Sequence, residues 1–72
     1  MEKVNVSERF LRLKEVINRT GLSRSTIYLR MKKGTFPKQV NLGPRTVGWL
    51  ESEIDAWIGD CIEDRDNRKE AA

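Results

Sequence analysis

The stretch Gly21–Gly34 constrains the fold most strongly, because it carries both the start and the stop signals of a short helix. Gly21 supplies the positive φ that a tight turn between two helices requires. Ser23 suits the N-cap position, since its hydroxyl can accept from free N–H groups of the first turn. Gly34 suits the position just after the last helical residue. The stretch therefore predicts the turn and second helix of a helix-turn-helix.

A short amphipathic helix is predicted before this turn and a β-hairpin after it. Leu13, Val16 and Ile17 have the i, i+3, i+4 spacing of a helix that ends at the turn. After Pro37 the period changes to that of a strand: residues 38–42 alternate, with Val40 and Leu42 on one face. A turn at 43–46 and a second strand at 47–50 complete the predicted hairpin.

A last helix is predicted from a capping box at Ser52–Asp55. Its apolar face should close the core, with Cys61 as a small hydrophobe at the core edge. We therefore predict a small α+β fold, a winged helix-turn-helix with three helices and a β-hairpin wing. Residues 9–62 should form this domain, residues 1–8 a flexible N-terminal arm and residues 63–72 a charged flexible tail.

The charge of the chain is unevenly distributed. Residues 1–48 contain eleven Lys and Arg against three acidic residues, a net charge of +8. Residues 49–72 contain three basic against eight acidic residues, a net charge of −5. Because the basic part coincides with the helix-turn-helix pattern, it predicts a polyanionic partner such as double-stranded DNA. The alternative is a solvated charged surface.

The composition argues against several other classes of protein. There is no histidine and one cysteine, so a zinc site or a Cys–His catalytic pair is not credible, and there is no Gly-rich phosphate loop. We expect no enzymatic activity, no metal or other cofactor and no small-molecule substrate. No window approaches the ~18–20 apolar residues of a membrane span. We therefore expect a bacterial cytoplasmic protein, associated with the nucleoid rather than a membrane.

Four segments together resemble the AlpA family of prophage regulatory proteins. The most specific block is S-T-I-Y…K-K-G-x-F-P, followed by W-x-x-x-E-I-x-x-W-I, within residues 10–58. The resemblance implies a small winged helix similar to excisionases and to the DNA-binding part of MerR regulators. It implies a transcriptional regulator of a prophage or mobile element, acting as an activator of an integrase or excision gene. The alternatives are an excisionase that bends attachment-site DNA and an adaptor that binds an integrase or RNA polymerase.

The resemblance and the basic helix together define candidate DNA-binding residues. Arg24 is expected to contact a guanine, and Arg45 to reach the adjacent groove from the wing. Leu29 and Arg30 stand in the reverse of the family's basic-then-apolar order, so Leu29 either contacts a thymine methyl or packs internally. A monomer would bind weakly, which predicts cooperative assembly on DNA. The candidate residues are Ser23, Arg24, Ser25, Thr26, Tyr28, Arg30, Lys32, Lys33, Lys38, Arg45 and Thr46.

Overall fold

The computed structural model describes residues 8–68, which form three helices and three short strands. The predicted winged helix-turn-helix is confirmed. Residues 1–7 and 69–72, where most of the predicted arm and the end of the predicted tail fall, lie outside the described residues. In chain order the elements are β1 (Phe10–Leu11), α1 (Leu13–Thr20), α2 (Arg24–Lys33), β2 (Val40–Gly43), β3 (Thr46–Leu50) and α3 (Glu51–Asn67).

The turn between α1 and α2 and both ends of α2 form as the local sequence predicts. Gly21 and Gly34 have φ angles of 78° and 79°, the left-handed conformation that glycine adopts without steric cost. The Ser23 hydroxyl accepts a hydrogen bond from the backbone N–H of Thr26 at 3.2 Å, which caps α2. These signals are local, so the ends of α2 are defined by residues next to them in the chain.

The three strands form a small antiparallel sheet with β3 at its centre, in the order β1-β3-β2. Leu11 pairs with Trp49 on one side of β3, and Val40 pairs with Gly48 on the other. A Cβ atom at Gly48 would lie 3.0 Å from Cδ1 of Leu42 and 3.2 Å from the carbonyl oxygen of Leu11. The close approach of the strands therefore favours a glycine in the central strand, because any larger residue would need its neighbours to move by a few tenths of an ångström.

The hairpin is shorter than predicted. Strand β2 begins at Val40 rather than at residue 38, and β3 already begins at Thr46, so Pro44 and Arg45 alone form the turn. Arg45 has a φ of 55°, a left-handed conformation that is uncommon for any residue other than glycine. Val40 is half-buried as predicted, but Leu42 is 38% exposed because the hairpin projects beyond the core.

One apolar core connects the sheet to all three helices. Trp49 of β3 is completely buried, and Trp57 of α3 is half-buried with its ring centroid 4.9 Å from that of Phe36. Both tryptophans therefore belong to the core. The buried residues are Leu11, Val16, Ile27, Phe36, Trp49 and Ile54.

Helix α3 differs from the prediction at both ends. It begins at Glu51 with Leu50 as its N-cap, so the capping box predicted at Ser52–Asp55 is wrong. The Ser52 hydroxyl instead donates to the carboxylate of Glu8. Cys61, predicted at the core edge, is exposed, because the residues of α3 from 59 onward extend past the core. Strand β3 runs into α3 without a connecting loop, which removes the position that a separate capping residue would occupy.

Candidate nucleic-acid interface

Two arginines, Arg9 before β1 and Arg19 in the last turn of α1, form ion pairs with carboxylates. Arg19, at the end of α1, contacts Glu51 and lies 2.7 Å from a carboxylate oxygen of Asp55, both in the first turns of α3. Arg9 lies 2.9 Å from a carboxylate oxygen of Glu15 and within 4.0 Å of Glu51. We call these five residues the paired seam, since they join α1 to the start of α3 and neutralise one another.

The paired seam also shifts two ionisation equilibria. The backbone N–H of Arg12 donates to Glu15 at 2.9 Å and, with the nearby charge of Arg9, holds the pKa of Glu15 below its ordinary value. The hydrogen bond to Glu51 raises the pKa of Arg19 above its already high value. Both groups are therefore charged at neutral pH, and both charges are paired with opposite charges of the same protein.

The basic residues of α2 and of the segment and hairpin that follow it form no ion pair within residues 8–68. Their charges are not neutralised by carboxylates of the described chain, so they generate positive potential in solvent. The sites of these charges coincide with the predicted DNA-binding region. We call this set the basic face; it consists of Arg24, Arg30, Lys32, Lys33, Lys38 and Arg45.

The outer face of α2 is defined by the direction of its buried residue. Ile27 is completely buried and packs into the core. With about 3.6 residues per turn, Ser25, Leu29 and Lys32 lie on the opposite side of the helix. Leu29 is 52% exposed, so the alternative that it packs internally is wrong. The other alternative, contact with a thymine methyl group, stays a prediction; Leu29 lies one turn after Ser25 on the same face.

Several predicted hydroxyl groups have partners inside the protein. The Ser23 hydroxyl donates to the Thr26 hydroxyl at 3.0 Å while accepting from the backbone of Thr26. The Thr46 hydroxyl donates to the carbonyl of Pro44 at 2.9 Å. Ser25 is exposed near the start of α2 and has no such side-chain hydrogen bond within residues 8–68. Ser25 is therefore the hydroxyl of this helix start that is free to reach a ligand.

Two arginines of the basic face lie against aromatic rings. The guanidinium carbon of Arg24 is 5.7 Å from the ring centroid of Tyr28, whose own ring meets Trp49 edge-on at 6.4 Å. The guanidinium carbon of Arg30 is 6.0 Å from the ring centroid of Trp57. These contacts limit the freedom of both side chains and leave their charge intact. Arg24 and Arg30 therefore lie on opposite sides of the outer face of α2.

The segment between α2 and the hairpin is held by both tryptophans. The indole N–H of Trp57 donates to the carbonyl of Thr35 at 2.9 Å, and that of Trp49 donates to the carbonyl of Pro37 at 3.1 Å. Lys38 follows directly and is exposed. The two bonds fix the position of β2, and through it the turn that carries Arg45, relative to α2.

Arg12 is a further basic residue beside the sheet that the sequence reasoning missed. Its Nε atom donates to the carbonyl oxygen of Val47 at 3.0 Å, where β1 has ended and β3 continues. Arg12 forms no ion pair within the described part of the chain. From the sequence, residues 10–13 could be either a short strand or the lead-in to the first helix, and the pairing of β1 with β3 decides the position of Arg12.

The described residues offer neither a metal site nor a membrane-spanning helix. Residues 8–68 contain no cluster of three or more His, Cys, Asp or Glu side chains that could hold a metal ion. Over the same range, none of the helices has the length and apolar character needed to cross a lipid bilayer.

The second helix of this fold is exposed and carries cations without carboxylate partners in residues 8–68. The hairpin that follows it carries a further cation at its turn. Together these features define a winged helix-turn-helix module. The family model for the prophage CP4-57 regulatory protein AlpA matches residues 9–62. The chain therefore belongs to the AlpA family of prophage regulatory proteins, as its sequence motifs predicted.

Two relatives show how far this similarity extends. The DNA-binding transcriptional activator AlpA of Escherichia coli strain K12 is 50% identical over 56 residues, which cover 69% of this chain and 80% of that protein. The uncharacterized protein ORF88 of Enterobacteria phage P4 is 55% identical over 58 residues, or 81% of this chain. The chain spans 66% of the length of the phage P4 protein, slightly less than two thirds.

Proposed function

We propose that this protein is a sequence-specific double-stranded DNA-binding regulator of a prophage or mobile element. Helix α2 enters the major groove, and the turn of the hairpin reaches the adjacent groove. The protein activates transcription of an integrase or excision gene, and the function includes no catalytic step. The description of the relative in Escherichia coli as a DNA-binding transcriptional activator supports this proposal.

The observation that carries the proposal is the division of the positive charges. Arg9 and Arg19 are used in ion pairs within the fold, whereas the six cations of the basic face have no carboxylate partner within residues 8–68. Unpaired cations repel one another and cost stability unless an anion accompanies them. A row of phosphates at the edges of a groove provides such anions.

The roles of individual residues follow from their places around α2. Ser25 and Arg24 lie at the start of the helix, where side chains reach base edges; Arg24 contacts a guanine. Ser23, which caps the helix, and Thr26, whose hydroxyl accepts a hydrogen bond from that of Ser23, contact the DNA beside them with their remaining hydrogen-bonding capacity. The remaining contacts are to the DNA backbone and the adjacent groove, from Tyr28, Arg30, Lys32, Lys33, Lys38, Arg45 and Thr46.

A single small domain of this kind buries about 600–1,000 Å² on DNA, so one copy binds weakly. We propose a monomer in solution that assembles cooperatively on adjacent or repeated sites. The same arrangement is compatible with an excisionase, which would bend attachment-site DNA from several neighbouring sites. The two functions differ in the DNA that is bound, so binding assays separate them.

The first experiment measures binding of the purified protein to three DNAs at two salt concentrations. The DNAs are the region upstream of the neighbouring integrase gene, the attachment site of the element, and a scrambled duplex. If about six cations contact phosphates, the slope of log affinity against log salt should be about −5. Preference for the upstream region supports the activator, and preference for the attachment site supports the excisionase. Equal weak binding to all three contradicts sequence-specific binding.

A groove beside α3 favours an additional role as an adaptor that contacts a protein. It has a volume of about 750 Å³ and lies between residues 34–40 and α3. Its apolar lining includes Phe36 and Trp57, while Glu53 and Asp60 lie on its α3 side and form no ion pair within residues 8–68. This combination suits a basic segment with an apolar side chain, contributed by an integrase or an RNA polymerase subunit.

The adaptor role is tested by reversing the two charges of the groove. The double variant Glu53→Lys/Asp60→Lys should keep the sequence preference of DNA binding, with a higher affinity for all duplexes from the added positive charge, and should lose activation of a reporter under the integrase promoter. Glu63→Lys is the matched control, because Glu63 is an exposed acidic residue of α3 that does not line the groove. Unchanged activation by the double variant would contradict the adaptor role and leave DNA binding unaffected.

A further inference from the structure

Leu29 is an apolar side chain in the middle of the outer face of α2. It is 52% exposed and is not among the hydrophobic residues that pack against the core. The core-facing side of α2 is supplied by Ile27 and Met31 instead. Around Leu29, the outer face carries Ser25 one turn before it and Lys32 one turn after it. Leu29 is therefore an isolated apolar group on a polar and basic surface.

Single exposed leucines are common on proteins, so exposure alone assigns no role to this one. The position of Leu29 does indicate a role, because Leu29 lies opposite Ile27 on the face of α2 that enters the major groove in the proposed function. Among the base edges in that groove, the one apolar group is the 5-methyl group of thymine. Hydroxyl and ammonium groups, which surround Leu29, gain nothing from a methyl group, whereas a leucine side chain does.

The hydrogen bonds at the start of α2 also support a contact between Leu29 and a thymine methyl group. The hydroxyls of Ser23 and Thr26 are bonded to each other, which leaves Ser25 as the free hydroxyl of the helix start. Four residues of helix rise by about 6 Å, close to two base-pair steps of about 3.4 Å each. A base contacted by Leu29 would therefore lie about two steps from the one contacted by Ser25.

We infer that Leu29 determines specificity by contacting the 5-methyl group of a thymine in the major groove. This inference rests on the proposed function and adds a chemical preference to it: the recognised site contains a thymine near its centre that cytosine cannot replace without loss. Burial of one methyl group is worth about 0.8 kcal/mol, which corresponds to about a fourfold change in affinity.

The test uses deoxyuridine, which pairs as thymine does and lacks only the 5-methyl group. A duplex is first selected by the wild-type protein from random sequence, and each thymine is then replaced singly by deoxyuridine. Wild-type affinity should fall about fourfold at one or two thymines. Leu29→Ala should lose affinity for the thymine duplex and show no further loss on these deoxyuridine duplexes.

Two further variants complete the test. Leu42→Ala removes an exposed leucine of the hairpin and should keep the full thymine preference of the wild type. Leu29→Met retains an apolar side chain and should recover part of the preference. Circular dichroism should show the same helix content in all variants, since alanine and methionine are good helix formers.

The outcomes separate the inference from the function on which it rests. If no thymine is sensitive, or if Leu29→Ala keeps the wild-type sensitivity, the contact with a methyl group is wrong while sequence-specific binding stands. If the selection yields no preferred sequence, the proposed function itself fails, and the inference fails with it.

Discussion

The paired seam and the basic face use the same kinds of charge for different purposes. In the paired seam, Arg19 contacts two carboxylates of α3, and these ion pairs hold α1 against the start of that helix. On α2, Lys32 and Lys33 occupy the last turn, where the helix dipole favours them, but no carboxylate of the described chain approaches them. The number of basic residues is therefore a poorer guide to a binding surface than the number left without partners.

This difference also explains how a chain with a net charge of only +3 can present a strongly positive surface. The acidic residues are concentrated after residue 48, and two of them, Glu51 and Asp55, are placed on α3 where they meet arginines of the seam. The same carboxylates are thereby kept away from α2. We expect substitutions in the two regions to affect different measurements.

The largest effect is expected from removing several cations of the basic face together. The triple variant Lys32→Ala/Lys33→Ala/Arg45→Ala should bind DNA more than about tenfold more weakly at low salt. The slope of log affinity against log salt should change from about −5 to about −3, because each phosphate contact contributes about 0.9. The melting temperature should not fall, because these residues form no ion pair within residues 8–68 and their removal reduces the repulsion between like charges. An unchanged slope would remove the distinction between the two regions.

A smaller effect, confined to part of the DNA site, is expected at Arg24. Arg24→Ala should cost about 1–3 kcal/mol on the preferred sequence and relax the preference at one base pair. Lys33→Ala is the matched comparison, because a phosphate contact is lost equally on all sequences. Fluorescence anisotropy with matched and scrambled duplexes measures both. Identical behaviour of the two variants would mean that α2 is not the reading helix.

A change in the seam should affect stability and leave DNA binding alone. Arg19→Met keeps the aliphatic part of the side chain and removes the ion pairs to Glu51 and Asp55. We expect a melting temperature lower by a few degrees, typical for the loss of partly exposed pairs in a small domain. The salt slope on DNA should be that of the wild type. Arg65→Met, which removes a pair between neighbouring exposed residues, should change neither quantity.

The smallest effect is expected in how the melting temperature changes between neutral and acidic pH. Because the folded protein holds the pKa of Glu15 below its ordinary value of 4.5, the folded state binds a proton less readily than the unfolded state. The stabilisation is complete above that ordinary value and is lost as the pH falls through the lower folded pKa. Glu15→Gln should therefore melt below the wild type at pH 7 and approach it in acid. Parallel melting curves from pH 7 to pH 3 would contradict this contribution.

The features that the sequence predicted well depend on neighbouring residues. The left-handed glycines Gly21 and Gly34 and the cap at Ser23 need only a few residues around them, and all three form as predicted. The same holds for the apolar spacing that placed Val16 and Ile27 in the core. In each case the signal and the structure lie within one or two turns of chain.

The predictions that failed depend on contacts between distant parts of the chain. Ser52 looked like a helix cap, but its hydroxyl meets Glu8, and the preceding N–H of Glu51 donates to the carbonyl of Arg9 at 3.0 Å. Cys61 continues the apolar spacing of α3, yet the core ends before it. Periodicity indicates which side of a helix is apolar, and it does not indicate how far the opposing surface extends.

For the candidate site, the sequence located the helix and left its orientation open. The order of Leu29 and Arg30 allowed either residue to face outward, and the burial of Ile27 decides between the possibilities. The contacts of Arg24 with Tyr28 and of Arg30 with Trp57 could not be read from spacing, because they depend on the rotamers and on the position of α3. The DNA contacts themselves stay predictions.

The two indole hydrogen bonds restrict the spacing between α2 and the turn of the hairpin. Trp57 and Trp49 hold the chain at Thr35 and Pro37, so the two bonds oppose changes in the distance from the outer face of α2 to the turn at Arg45. A double helix that meets both ends at once must supply grooves at that separation, by its intrinsic shape or by bending. Base pairs that the protein never touches would then influence its choice of site through their stiffness.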